Sequence, residues 1–147
     1  MRDAEHGAVS PKASRLVIKP LSCSIIREAQ IVYISTDTLA YKIYRKEQAK
    51  EILNCKYAFN EAYNKELNEQ DLRIVGIDDN GDARIVELSD HPYFMATLFL
   101  PQFSLSAEKP HPLIVEYLNA AKAFQGMKRE VEIMFDADWG ITVNLWK

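Results

Sequence analysis

The sequence predicts an α/β protein: a sheet with helices on both faces, to which antiparallel hairpins are added. Three observations carry that expectation. Tyr93 to Leu100 is an almost unbroken apolar run of strand length, stopped by Pro101; without alternation, it reads as a strand buried on both faces beneath helices. His111-Pro112-Leu113-Ile114-Val115-Glu116-Tyr117-Leu118 opens a helix, with Pro112 suited to its first turn. Two β-branched segments flank Asp79-Asn80-Gly81, and Asn-Gly is a strong short-hairpin signal because both residues accept positive φ. In open α/β sheets, function gathers beyond the carboxyl ends of strands, a place that Leu100, Pro101 and Gln102 occupy here.

The bounds are those of one ordinary globular domain. The chain has 147 residues, 48% of them hydrophobic and 27% charged, enough for a useful core. A net charge of −3 offers no general attraction to nucleic acid or anionic membrane. The apolar runs are far short of a bilayer span, and residues 1–10 contain no signal-peptide core. Cys23 and Cys55 make neither a disulfide framework nor a metal site by spacing. The composition therefore reads as a reduced cytoplasmic protein with no metal or cofactor, no nucleic-acid partner and no membrane partner.

Taken in order, residues 1–14 read as loop, and His6 beside Glu5 as solvated surface rather than a metal ligand. Leu16-Val17-Ile18 is a short strand closed by Pro20; Ile25-Ile26 and Ile31-Val32-Tyr33-Ile34 form a second. Pro20-Leu21-Ser22-Cys23-Ser24 lies between them as a loop. A cysteine between serines invites a nucleophile reading, which needs a base from His6, His91 or His111; a buried, small apolar thiol is the expectation. Thr36 or Asp37 caps a short helix to about Tyr44. Leu53, Cys55, Tyr57 and Phe59 alternate with polar positions as a half-buried strand. Asn60 caps a second helix, where Tyr63 and Leu67 pair at i and i+4. Residues 72–77 and 84–88 are strands, and Asp78 to Asp82 is a hairpin tip, too short for a calcium loop. Gly76 and Gly81 are isolated turn glycines, not a phosphate loop. The helix after Pro112 carries Leu113, Ile114, Tyr117, Leu118, Ala121 and Phe124 on one side and stops at Gly126. Val131, Ile133 and Phe135, then Ile141, Val143 and Leu145, alternate as a terminal hairpin.

Several of these segments carry a resemblance. The run D-H-P-Y-F-M-A-T-L-F-L-P-Q-F followed by K-P-H-P-L, the segment N-C-K-Y-A-F-N, and the block from Leu72 to Pro92 are similar to the glutaminase domain of CTP synthase, a class I glutamine amidotransferase. The resemblance implies a flavodoxin-like sheet. It implies a division into residues 1–126, the later part of such a domain, and residues 127–147, a hairpin extension. The chain is more similar still to bacterial proteins related to the CTP synthase C-terminal region, which carry D-A-E-H, P-L-S-C-S and a strand ending in P-Q. Asp3 to His6, Pro20 to Ser24 and Pro101-Gln102 match those features.

In the glutaminase family the strand ends in F-H-P-E-F, where the histidine is the base for a cysteine nucleophile and the glutamate orients it. By position these fall on Leu100 and Gln102, and no G-x-C-x-G nucleophile elbow is present. A triad lacking its members keeps little beyond background rate. Lys56 stands where the family has an arginine that helps bind glutamine; with Tyr57 it forms the implied substrate-binding pair, although lysine lacks the planar fork. The resemblance thus implies a catalytically inactive domain used for binding or assembly. Its partner would be itself or a chain that supplies the earlier half. The alternative is an enzyme of the same class whose nucleophile lies in an N-terminal portion. An unrelated α/β binding module fits less well, because polar residues match over 72–118 along with the apolar rhythm.

Overall fold

The computed structural model describes residues 4–69, 71–104 and 108–139, with residues 128–139 by backbone alone. The elements are β1 (Glu5–His6), β2 (Leu16–Ile34), α1 (Leu39–Tyr44), β3 (Gln48–Phe59), α2 (Asn64–Asn68), β4 (Leu72–Ile77), β5 (Ala83–Leu88), β6 (Met95–Thr97) and α3 (Pro112–Trp139). Single 3-10 turns occupy Glu61–Tyr63 and Pro101–Phe103. The strands form one mixed sheet in the order β1-β2-β4-β5-β6, with β3 also on β2. β1 pairs parallel to β2, and every other pairing among the described residues is antiparallel.

β2 is the spine. Ile18 pairs with His6 and with Phe59, while Tyr33 pairs with Gln48 and with Ile77. One edge therefore holds β3 and the other holds β1 and β4. The expected loop over Pro20–Ser24 is instead a bulged part of this strand. Register shifts fall between Pro20 and Ile25 and between Ile25 and Glu28, and Arg27 takes φ 48. A bulge absorbs residues that cannot join the ladder, which is how proline is tolerated there.

Alternation in β4 and β5 gives the sheet two apolar faces. Val75 and Ile85 join Val32, Ile34, Ala40, Leu53, Phe99 and Leu113 beneath α1 and the start of α3. Leu72 and Ile74 join Phe59 and Leu67 on the α2 face. Gly76 lets β4 and β5 approach: a Cβ there would lie 2.8 Å from the Ile85 side chain. In the hairpin tip only Gly81 has positive φ (82°). Asn80 does not follow the two-residue Asn-Gly pattern, because the Gly81 amide bonds Asp78 O and the Asp78 carboxylate accepts the amides of Asn80 and Asp82. The result is a longer tip built on a type I-like turn.

α1 is six residues long, and its start is fixed from outside. Thr38, rather than Thr36 or Asp37, is the cap, and its Oγ1 accepts the Tyr41 amide at 3.0 Å. Glu87, buried on β5, accepts the amides of Leu39 and Ala40 at 3.1 and 3.0 Å. These are the donors that a helix start leaves unsatisfied. Asn60 caps the turn before α2 as the sequence implies, accepting from Ala62 N.

Two further expectations are corrected. The run from Tyr93 to Leu100 is not a strand buried on both faces. Only Met95–Thr97 pairs, at the sheet edge on β5, and Phe94 is 45% exposed. Thr97 Oγ1 donates to Phe99 O, which turns the chain out of the ladder early. α3 does not stop at Gly126 but continues to Trp139, so Val131, Ile133 and Phe135 are helical rather than strand. Gly is tolerated inside a helix at a cost of about 1 kcal/mol. The proposed second strand, 141–145, lies outside the described residues. Leu113 is buried, but Tyr117, Leu118 and Phe124 on the same helix are exposed.

Replacing Glu87 with alanine is expected to cost about 2–3 kcal/mol in urea unfolding, since two amides lose a charged acceptor. Arg73→Ala, which removes only a 3.6 Å partly exposed ion pair, should cost under about 1 kcal/mol. Equal losses in the two variants would contradict the assignment of Glu87 as the anchor of α1.

Candidate functional site

The end of the β6 segment, the 3-10 turn Pro101–Phe103, the middle of β3 and the β2 bulge come together. The Leu100 amide donates to Ile52 O at 3.3 Å, and Cys55 Sγ lies 3.8 Å from Leu98 O. Arg27, held at positive φ in the bulge, places its guanidinium 5.3 Å from the centroid of the Phe103 ring, a cation–π contact that ties the turn to β2. Next along β3 is a cleft of about 420 Å³, lined by Ser24, Ile25, Ile26, Asn54, Cys55, Lys56 and Tyr57.

Both substrate-binding residues implied by the resemblance, Lys56 and Tyr57, line this cleft. Leu100 is half-buried and Gln102 exposed, on the turn. Among the described residues no hydrogen bond or ion pair joins Lys56 or Tyr57 to Leu100 or Gln102. None of the three histidines lies on the turn. His6 is exposed, its ring tilted by 50° at 5.1 Å from that of Tyr57; His91 is exposed and accepts the Tyr93 amide.

His111 is buried beside Glu51 and Tyr44, a cluster that sequence reasoning missed. Its Nε2 lies 3.1 Å from both Glu51 oxygens, and Tyr44 donates its hydroxyl to Glu51 Oε1 at 2.7 Å. A histidine on a carboxylate is the arrangement that orients a general base. Here, however, the Leu113 amide donates to Nδ1 at 3.3 Å. With Nδ1 accepting and Nε2 donating to Glu51, neither ring nitrogen is left to take a substrate proton. The cluster is a structural tie between β3, α1 and the start of α3. One signal was available: Glu51 sits in phase with Ala49 and Leu53 on the inward side of β3, where a carboxylate needs partners.

Cys23 differs from the expectation of a buried thiol, whereas Cys55 lies on a half-buried strand as its alternation implies. Cys23 is exposed on the β2 bulge, and Cys55 is half-buried. Burial raises the Cys55 thiol pKa, against a smaller opposing pull from Arg84. Among the described residues, no three His, Cys, Asp or Glu side chains are grouped to hold a metal ion, and no helix is long and apolar enough to cross a membrane.

The fold is that of a class I glutamine amidotransferase-like domain. It superposes on the Trypanosoma brucei CTPS glutaminase domain with bound acivicin at a TM-score of 0.74 and 23% identity, over 82% of this chain and 51% of that one. In sequence, the chain is 37% identical over 89 residues to the CTP synthase of Pelotomaculum thermopropionicum. It is 39% identical over 84 residues to that of Caldanaerobacter subterraneus and 32% identical over 88 residues to that of Helicobacter pylori. These matches cover 60%, 56% and 60% of this chain, and 17%, 16% and 16% of those proteins, respectively. No protein-family profile matches. The chain is similar in sequence to part of CTP synthase and in fold to the CTPS glutaminase domain, and its match spans about a sixth of the length of those enzymes.

Two outcomes are expected from this geometry. Burial alone would raise the Glu51 pKa, but the hydrogen bonds from His111 and Tyr44 outweigh it and the net shift is downward. A lowered folded-state pKa gives stability that is present above the unfolded value, about 4.3, and lost as pH falls through the folded one. Glu51→Gln should therefore be less stable than the parent at pH 7, with the gap closing below about pH 4; urea curves that stay parallel down to pH 3 would refute the tie. Iodoacetamide should modify Cys23 faster than Cys55 in the folded protein and both alike in urea. Equal native rates would contradict the burial of Cys55.

Proposed function

We propose that this chain is a glutamine amidotransferase-like domain without glutaminase chemistry, retained for binding or assembly. The observation that carries the reading is Leu100: at the strand end, where the resembling family places its base, a hydrocarbon side chain cannot accept a proton. Gln102, in the position of the orienting acid, offers a neutral amide that cannot stabilise an imidazolium. The fully engaged ring of His111 supports the same reading.

The cleft at Lys56 and Tyr57 is the proposed binding surface. Lysine keeps a positive charge there without the paired donors that clasp a carboxylate, which favours a ligand other than glutamine. For assembly, the proposed partner is a second copy or a chain supplying the other half of the domain, since the match spans 51% of the solved glutaminase chain. Two free cysteines and the absence of a membrane-spanning helix among the described residues fit a cytoplasmic setting.

An ammonia-release assay with glutamine tests the reading. The purified chain should stay at blank, and so should the double variant Leu100→His, Gln102→Glu, which restores the base and acid without a nucleophile. Turnover above blank in the unaltered chain would overturn it.

A further inference from the structure

α3 is long for the fold it packs on. Its 28 residues make a rod of about 42 Å, whereas α1, the helix packed against it, has six residues. Beyond Leu113, which is buried, apolar residues recur with alternating gaps of four and three at Tyr117, Ala120, Phe124, Met127, Val131 and Met134. We propose that this seam pairs antiparallel with the same seam of a second copy of the chain. The inference rests on the assembly reading above and commits it to one partner and one surface.

The spacing says what covers the seam. Gaps that alternate four and three are those of helices wound around each other; a helix laid on a sheet carries a wider stripe. Here they persist for three heptads, the length at which the pattern argues for a coiled coil. Tyr117, Phe124 and Met127 are 58%, 65% and 53% exposed, while Asn119, Lys122, Gln125 and Arg129 hold outer positions of the repeat. An exposed apolar row rimmed by polar residues marks an interaction surface. At ~200 Å² a side chain, those three seam residues alone bring roughly 700 Å² to a pair of chains. Specific interfaces begin at about 1,000 Å², and three further seam positions remain to be added.

Charge selects the orientation and the register. Glu116, Lys128 and Glu130 occupy the positions that flank the seam. When position 124 of one antiparallel helix meets position 127 of the other, Glu130 falls opposite Ala123 and Lys128 opposite Ala121. A shift of one heptad one way sets Glu116 against Glu130; the other way sets Lys128 and Glu130 against their own copies. Parallel pairing in register puts Asp138, the next core position, against itself. Like charges brought together oppose association, so the antiparallel pairing centred between 124 and 127 is the one without a conflict. It also joins Phe124 to Met127 twice across the two-fold axis, a sulfur–aromatic contact.

The test is sedimentation equilibrium of the whole chain, followed by disulfide trapping. The unaltered chain should be a dimer whose dissociation constant rises at least tenfold in Phe124→Glu. Leu118→Glu should leave it unchanged, since Leu118 is 59% exposed but lies outside the seam. In a Cys23→Ser, Cys55→Ser background, Ala120→Cys mixed with Val131→Cys should form a cross-linked dimer under mild oxidation, and neither variant alone should do so. The proposal is overturned by a monomer across the micromolar range, which would leave the seam to a different chain. It is equally overturned if Leu118→Glu weakens the dimer as much as Phe124→Glu, or if each cysteine variant cross-links with itself, the mark of parallel helices. These outcomes are separate from the ammonia-release assay, whose failure would remove the inactive-domain reading whatever the oligomeric state.

Discussion

Glu51 is a carboxylate at an inward position of β3, and three elements meet on it: its own strand, α1 through Tyr44, and the entry to α3 through His111. Placing a charge there costs several kcal/mol of lost hydration, so the site holds only while both partners are in place. That condition restricts the chain severely. α1 must present Tyr44 on its last turn, and the segment before Pro112 must bring an imidazole back to β3. Phe99 packs beside the same ring, so the turn bearing Leu100 and Gln102 is set by the same cluster. Glu87 repeats the device at the other end of α1, and Asp78 repeats it across the β4–β5 hairpin. Buried carboxylates thus define how helices and turns sit on this sheet, while the apolar clusters supply the bulk of the burial.

What sequence could reveal divides along the range of the interaction. The β4–β5 hairpin, the Asn60 cap and the alternation of β3 depend on neighbours in the chain, and each is where the residues place it. The continuity of β2 was hidden because Pro20 and Ser22-Cys23-Ser24 break any apolar rhythm. Pairing with β3 on either side of them, Pro20 with Tyr57 and Ile25 with Cys55, carries the strand across this segment. The apolar run after Tyr93 misled because its length suggests a central strand, whereas its neighbours leave it three residues of ladder. In α3 the stripe from Leu113 to Phe124 has helical spacing, yet little of the fold lies opposite its later turns. Arg84, Glu51 and Glu87 look like surface charges in sequence, and their partners come from other elements.

The candidate site follows the same division. Leu100, Gln102, Lys56 and Tyr57 were legible only by their positions in segments that resemble a known family; the structure puts the latter two in one cleft. The clasp of Arg27 on Phe103 was not legible, because it depends on a left-handed residue in a bulge. It holds the turn against β2 without using the Leu100 or Gln102 side chains.

The two bulges in β2 also bear on how the sheet acquires its register. A strand that pairs over so long a span can slip by one residue and turn its whole inward face to solvent. Irregularities at Ile25 and Glu28 split β2 into separate blocks, so an error in one is not carried into the other. Loop-closure entropy orders the blocks: Tyr33 with Gln48 closes a short connection containing α1, and Ile18 with Phe59 closes a much longer one. The sheet can zip from the α1 end toward the amino terminus, each block testing its own phase before the next is committed.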